Sequence, residues 1–308
     1  MISFPFSMAE VGPCRLCEHV RTLRLSHINP KFVYRFQKET TPTTIRSHIN
    51  PNRPTQDSRK LYFLCDECEA RLSRWETLFK REIYDPYHAG TFTELKYGPW
   101  FLKFAVSISW RSLKATLEVN ADEVKTGRGM QPDFLSEAAT AESAWRDFLL
   151  DRREHPGRFP QYFFFLDSLA NSSNPDLPIN FATYIHRVAA SGIWHDPARG
   201  FMFTFGMLCS VAVIGVIFGP NLRSWGERIR VEKGILRMST RVPAPTVVDM
   251  ITAQANDHLT MSRSLSERQK MLDHQKLERA VSPEYLRAMA IDVVRAPRAD
   301  HRIPKKRT

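Results

Sequence analysis

The chain has 308 residues and a mass of 35.6 kDa, long enough for two domains or for one large core with an appendage. Apolar residues make up 43% and charged residues 25% of the sequence, a globular balance that excludes wholesale disorder. The formal net charge of +11 favours anionic or phosphate-rich partners. Five cysteines in a chain of this length exclude a disulfide-stabilised scaffold.

The opening segment MISFPFSMAE has neither a basic n-region nor a long apolar core. We therefore expect no secretory signal. The cysteines are then expected to be reduced, and the protein is expected in the cytoplasm.

Four of the five cysteines form two Cys-x-x-Cys pairs. Each pair offers two thiolates from one tight turn, and four sulfurs at about 2.3 Å complete a tetrahedral Zn²⁺ site. We predict a structural Zn²⁺ site at Cys14, Cys17, Cys65 and Cys68. Such a site is closed, so the zinc itself offers no coordination position for chemistry. The alternative is a set of free or redox-active thiols.

The segment 21–60 between the cysteine pairs carries nine basic and two acidic residues. Arginine and lysine neutralise the phosphates of nucleic acids. The predicted phosphate contacts are Arg21, Arg24, Lys31, Arg35, Arg46, Arg53 and Arg59. The aromatic residues Phe32 and Phe36 alternate with these cations and are expected to be buried. A second basic cluster lies in the C-terminal tail, as a phosphate anchor or as a solubilising terminus.

Three helices are predicted from apolar residues spaced three and four apart. The first covers 68–84, directly after the second cysteine pair. The second begins at Pro99, in a first-turn position, and runs to residue 117. The third covers 136–153.

Short β-branched or aromatic stretches in 161–236, broken by Gly, Pro and Asn, predict a mixed or antiparallel sheet. The predicted strands are FATYIHRV, GFMFTF, SVAVIGVIF and RIRVEKGIL, the last as a partner of the third. After Pro245 the pattern is helical. Ser264 with Glu267 forms a capping box, and Ser282-Pro283 starts a further helix.

The predicted fold class is α+β, in three parts. A zinc-binding domain covers 1–95, and an α+β domain with mixed helix and antiparallel sheet covers 96–245. C-terminal helices and the basic tail cover 246–308.

An uncharged stretch of eighteen residues, 201–218, approaches the length of a membrane-spanning helix. However, Gly206 and Gly215 interrupt it, its second half is rich in Val and Ile, and Gly219-Pro220 follows as a turn signal. We therefore predict two buried strands here, with a membrane helix as the alternative.

The order CRLC, LSHINPKF and LCDECEARLSRWE resembles the HNH, or His-Me finger, nuclease family over roughly residues 10–85. The resemblance implies a treble-clef zinc fold in which His27 is the general base that activates water against a phosphodiester. It also implies a catalytic divalent ion, Mg²⁺ or Mn²⁺, held nearby. The near-neutral pKa of histidine suits the role of a base.

The sequence departs from this family pattern around the candidate base. Ser26 stands where the family has an acidic metal ligand, and Glu69 stands where its helix has Asn or His. The middle Asn of the family has no clear match. Glu69 is a ligand acceptable to Mg²⁺, so His27 and Glu69 are the candidate catalytic residues. The alternative for His27 is a structural ring bonded to a backbone carbonyl. A second SHINP at 47–51 carries His48 and is given no functional weight.

Three functions follow from these patterns. The first is a zinc-framed, metal-dependent nuclease that cuts DNA, with RNA as a further substrate class. The second is a zinc-binding module without catalysis that binds nucleic acid or a protein. The third is a membrane-tethered zinc-finger protein.

Overall fold

The computed structural model describes residues 10–41, 45–46, 51–53, 60–91, 94–119, 132–172, 174–219, 228–237 and 243–279. Arg59, His48, the helix start predicted at Ser282 and the basic tail lie outside the described residues. In the described part, helices and antiparallel sheets are mixed, and the cysteines cluster near the N-terminus. The coarse α+β prediction is therefore confirmed.

The N-terminal part is built on a small antiparallel sheet with strand order β1-β2-β3. Its strands are β1 (Val11–Pro13), β2 (Val20–His27) and β3 (Lys60–Cys65). Helix α1 (Lys31–Thr40) follows β2, and helix α2 (Asp66–Phe79) follows β3 without a break. Both cysteine pairs therefore lie at the ends of this sheet.

The helix predicted over 68–84 is confirmed and is longer than expected. Helix α2 continues through a π-helical turn (Lys80–Tyr84) into α3 (Asp85–Ala89). It ends at Gly90, whose φ of 67° is the left-handed conformation that glycine adopts at low cost. Strand β4 (Glu94–Tyr97) comes next.

Helix α4 (Pro99–Val119) lies at the centre of the molecule and confirms the helix predicted from Pro99. On one side its Phe104 ring stacks on Phe79 of α2 at a centroid distance of 3.9 Å. Another ring, Trp110, packs on Phe63 of β3. Helix α5 (Pro132–Leu149) covers a further side and begins four residues earlier than predicted.

The apolar stretch 201–218 forms two antiparallel strands, as predicted. They are β7 (Phe201–Leu208) and β8 (Val211–Phe218). With β5 (Gln161–Phe165) and β6 (Ala189–Asp196) they form a four-stranded sheet of order β5-β8-β7-β6. Among the helices that the structure describes, none has the length and apolarity to cross a membrane.

Both faces of this sheet are covered, which explains why the two central strands are apolar throughout. Val211, Val213 and Ile217 face the core shared with α4, whereas the intervening Ala212 and Ile214 face a second core. Sequence alternation disappears when both faces of a strand are buried.

Three strand and cap predictions are wrong or only partly right. FATYIHRV is helix α7 (Phe181–Arg187), after the short α6 (Asp167–Ala170). The buried residues Phe181, Tyr184 and Ile185 have helical spacing, which places them on one face. Of RIRVEKGIL, only β9 (Gly234–Arg237) is a strand, and it pairs with β4 instead of β8.

The capping box predicted at Ser264 is also wrong. Ser264 follows the last residue of α8 (Pro245–Arg263), and its hydroxyl bonds back to the carbonyl of Met261. The next helix, α9 (Glu267–Arg279), is capped by Ser266, whose side-chain Oγ accepts from the N–H of Gln269 at 3.4 Å. The predicted domain boundaries near 95 and 245 stay predictions.

Candidate metal centre

The first cysteine pair occupies the tight turn between β1 and β2. The N–H of Cys14 donates to the carbonyl of His19 at 2.9 Å, and the N–H of Glu18 donates to the carbonyl of Cys14 at 2.8 Å. Glu18 has a φ of 66°, which lets the chain reverse within this turn. The turn therefore presents the Cys14 and Cys17 sulfurs on one side.

The second pair lies where β3 becomes α2. Cys65 is the last residue of β3, and Cys68 lies in the first turn of the helix. The N–H of Cys65 donates to the Sγ of Cys14 at 3.3 Å, and the Sγ atoms of Cys17 and Cys65 are 3.9 Å apart. The two pairs, remote in sequence, are in contact.

All four sulfurs lie within 4.8 Å of one another, and none is in a disulfide. Three of the four cysteines are buried, and Cys17 is half-buried. Four mutually close sulfurs from two tight turns suit a tetrahedral ion such as zinc. The predicted four-cysteine cluster is therefore present, and it could hold a metal such as zinc.

The protonation of this cluster is uneven. A hydrogen bond from the Cys68 thiol, helped by backbone N–H groups, lowers the pKa of Cys14 to about 4 even though burial opposes the shift. The same hydrogen bond, together with burial, raises the pKa of Cys68. Burial also raises the pKa of Cys17. Since zinc is bound by thiolates, metal binding at this cluster would release protons.

The predicted catalytic residues lie beside the cluster, on β2 and α2. His27 is the last residue of β2, and Glu69 is in the first turn of α2, one position after Cys68. Ser26, the residue before His27, is 1% exposed and donates from its hydroxyl to Oε2 of Glu69 at 2.8 Å. The structure therefore joins the residue before the candidate base to the candidate metal ligand.

Arg111 of α4 holds the end of β2 in place. It is 3% exposed and donates to the carbonyl oxygen of His27 at 3.1 Å and to Oε1 of Glu76 at 2.6 Å. Sequence reasoning missed both partners, Arg111 and Glu76. The available signal was a single arginine within the apolar face of a helix, which requires a buried counter-charge.

Several arginines that were predicted to contact phosphate form ion pairs with carboxylates of the protein instead. Arg21 pairs with Glu67 at 2.5 Å, and Arg24 pairs with Asp66. Both acidic partners lie in the first turn of α2, where negative charge also balances the helix dipole.

Arg46 pairs with Asp273 of α9 at 2.8 Å, and the arginine side chain is only 6% exposed. It also donates to the carbonyl of Pro51 at 2.9 Å. This arginine therefore connects the segment between α1 and β3 to the C-terminal helix.

Other predicted contacts are exposed. Lys31 and Arg35 lie on the outer surface of α1, and Arg53 is exposed on the segment before β3. Neither Lys31 nor Arg35 pairs with a carboxylate among the described residues.

Within the described ranges, the four cysteines are the only group of three or more His, Cys, Asp or Glu side chains close enough to share an ion. No protein-family model, curated protein or solved structure matches the chain.

Proposed function

We propose that the protein is a metal-dependent nuclease of the HNH type, built on a treble-clef zinc fold, that hydrolyses phosphodiester bonds in DNA. The observation that carries the proposal is the 2.8 Å contact between Ser26 and Glu69. These are the two positions that would hold a divalent ion in the family that the sequence resembles, and His27 comes directly after the first of them. RNA is the further substrate class to test.

In this proposal His27 is the general base and takes a proton from the attacking water. Arg111 supports that role because it fixes the carbonyl of His27 and with it the end of β2. Glu69, together with Ser26, would hold Mg²⁺ or Mn²⁺, and the bound ion would stabilise charge on the leaving oxygen. One or two carboxylates are the usual protein ligands of Mg²⁺, since waters and substrate phosphates complete its shell.

The test is incubation of the purified full chain with supercoiled plasmid and Mg²⁺ or Mn²⁺. We expect nicking that requires the divalent ion and that His27→Ala reduces by about 10²-fold or more, the range for loss of a general base. The matched control is His155→Ala, which removes an exposed histidine from the loop after α5. Cleavage that is equal in both variants contradicts the assignment of His27.

The second candidate is a zinc-binding module without catalysis that binds nucleic acid or a protein. The observation that favours it is again at Ser26, because a hydroxyl replaces an acidic ligand and already uses one oxygen of Glu69. Salt-sensitive binding to DNA without any cleavage in Mg²⁺ or Mn²⁺ would support this candidate over the nuclease.

A further inference from the structure

Helix α1 carries three exposed cations on one face. Lys31, Arg35 and Lys38 are spaced four and three residues apart, which places them in one row along the helix. The row extends over about 10 Å, given a rise of 1.5 Å per residue. We call these three residues the α1 row.

The opposite face of α1 is buried, so the direction of the row is fixed by packing. Val33 is fully buried and Tyr34 nearly so, and Phe36 packs edge-on against Tyr84. The side chain of Gln37 donates to the carbonyl of Arg187, at the end of α7. Rotation of the helix would expose this apolar face, so the α1 row stays directed at solvent.

The charge of the α1 row is left uncompensated by the described part of the chain. No described carboxylate pairs with Lys31, Arg35 or Lys38, whereas Arg21 and Arg24 each neutralise a residue of α2. Helix α1 also has no acidic residue in its first turn, and α2 has three. The adjacent Glu39 is the single exposed acid of the helix. Positive potential is therefore concentrated on α1.

We propose that the α1 row is the surface that binds the phosphate backbone of double-stranded nucleic acid, and that Arg21, Arg24 and Arg46, which pair with carboxylates, do not contact it. The inference rests on the proposed function in one respect: α1 begins four residues after His27, so duplex bound along the row lies beside the candidate base.

Duplex is favoured over single strand because the aromatic residues of α1 pack against the core: Tyr34 is buried, and Phe32 and Phe36, which were expected to be buried, are half-buried. Single-strand binding proteins stack bases on exposed rings. Phe32 lies within 4.9 Å of the Tyr84 ring, and Phe36 lies 4.1 Å from His88, measured between centroids. Cations without exposed rings suit contact with backbone phosphates.

The test measures binding of the full-length chain to a labelled 20-base-pair duplex by fluorescence anisotropy, without Mg²⁺, at several salt concentrations. The variant is Lys31→Ala/Arg35→Ala, and the charge-matched control is Arg21→Ala/Arg24→Ala. Each lost phosphate contact lowers the magnitude of the slope of log K against log salt by about 0.9. We expect the α1 variant to lower it by about 2 and to weaken binding roughly 60-fold at 0.1 M salt.

The control should change binding by less than about threefold, since its arginines face carboxylates instead of phosphates. The same single strand should bind more weakly than the duplex. Equal losses in the two variants, no binding by the wild-type chain, or tighter binding of the single strand would each overturn the inference. An acidic peptide that binds as tightly as the duplex and is lost in the α1 variant would overturn it in favour of a protein partner.

This experiment contains no Mg²⁺ and reads binding alone. A chain that never cleaves DNA can still confirm the α1 row, and a chain that cleaves DNA can still show that the row is not involved. Failure of the inference and failure of the nuclease proposal are thus distinguishable.

Discussion

The guanidinium of Arg111 donates a hydrogen bond of 3.1 Å to the backbone carbonyl of His27. Because Arg111 also pairs with Glu76 at 2.6 Å, one side chain connects α4 to β2 and α2. The end of β2, where the candidate base lies, is therefore fixed by a hydrogen bond from a buried arginine of α4.

Replacement of Arg111 by methionine should destabilise the protein strongly. The carboxylate of Glu76, with 18% of its side chain exposed, would lose its partner. Loss of one member of a buried pair costs about 3 kcal/mol of the free energy of unfolding. Urea unfolding would measure this cost, and the double variant Arg111→Met/Glu76→Leu should recover part of it.

The matched control for that variant is Arg152→Met. Arg152 pairs with Asp147 on the surface, with 52% of the arginine side chain exposed. Exposed pairs contribute about 1 kcal/mol or less. Similar losses in Arg111→Met and Arg152→Met would show that the contact with His27 and Glu76 contributes little.

Replacement of Cys65 or Cys68 by serine should abolish zinc binding and unfold the N-terminal part. A four-sulfur site that loses one thiolate no longer has its tetrahedral shell, and structural zinc contributes directly to folding. Metal analysis of the purified chain and its melting temperature would test this. The control is Cys209→Ser, because Cys209 is buried outside the cluster. Full zinc content in Cys65→Ser would contradict the site.

Replacement of Ser26 by aspartate should create a stronger divalent-ion site. The new carboxylate would face Glu69 in place of the hydroxyl that now lies at 2.8 Å. Two close carboxylates repel each other until a cation joins them. We expect Ser26→Asp to have a lower melting temperature than wild type without divalent ions and a larger rise upon addition of Mn²⁺.

The control for this variant is Ser26→Asn, which adds a similar volume without charge. Its melting temperature should respond to Mn²⁺ no more than that of the wild-type chain. If Mn²⁺ stabilises Ser26→Asp and Ser26→Asn equally, the carboxylate added at position 26 does not form an ion site with Glu69.

Replacement of Gly215 by alanine should destabilise the central sheet. A Cβ atom at this position would lie 2.7 Å from Oγ1 of Thr204 and 2.8 Å from Cβ of Ser109 on α4. Overpacking of a close-packed core costs about 1 to 3 kcal/mol. Gly12→Ala is the control, because the nearest atom to its Cβ would be 3.5 Å away. Thermal unfolding of both variants would decide whether α4 requires glycine at this contact.

The cysteine cluster and the helices α2, α4 and α5 were predictable because each has a local signature. Ligand spacing within Cys14/Cys17 and Cys65/Cys68 is set by one turn of chain, and the spacing of Leu72, Trp75 and Phe79 is set by one turn of helix. Such patterns need no knowledge of distant partners. The sequence also predicted that the two pairs meet, because all four cysteines were assigned to one ion; their sulfurs lie within 4.8 Å of one another.

The burial of strand β6 and the pairing of the arginines were not predictable, because they depend on contacts between residues far apart in sequence. Strand β6 mixes half-buried and exposed residues without a clear period, because it is the edge of the sheet. The pairing of Arg46 with Asp273 joins residues 227 positions apart, so its charge looked available for phosphate. Only the tertiary structure distinguishes the arginines that pair with carboxylates from the cations on α1.

Helix α4 is buried along most of its length and packs against both the N-terminal part and the four-stranded sheet. Phe104 and Trp110 belong to contacts with Phe79 and Phe63, while Ser109 bonds to Gln161 of β5 at 2.7 Å. A fragment that stopped near residue 85 would leave Phe63 and Phe79 open to water, and we expect it to aggregate even if a metal ion binds the four cysteines. The N-terminal part of this chain therefore depends on α4 to bury its aromatic residues, and we do not expect it to fold as an isolated fragment.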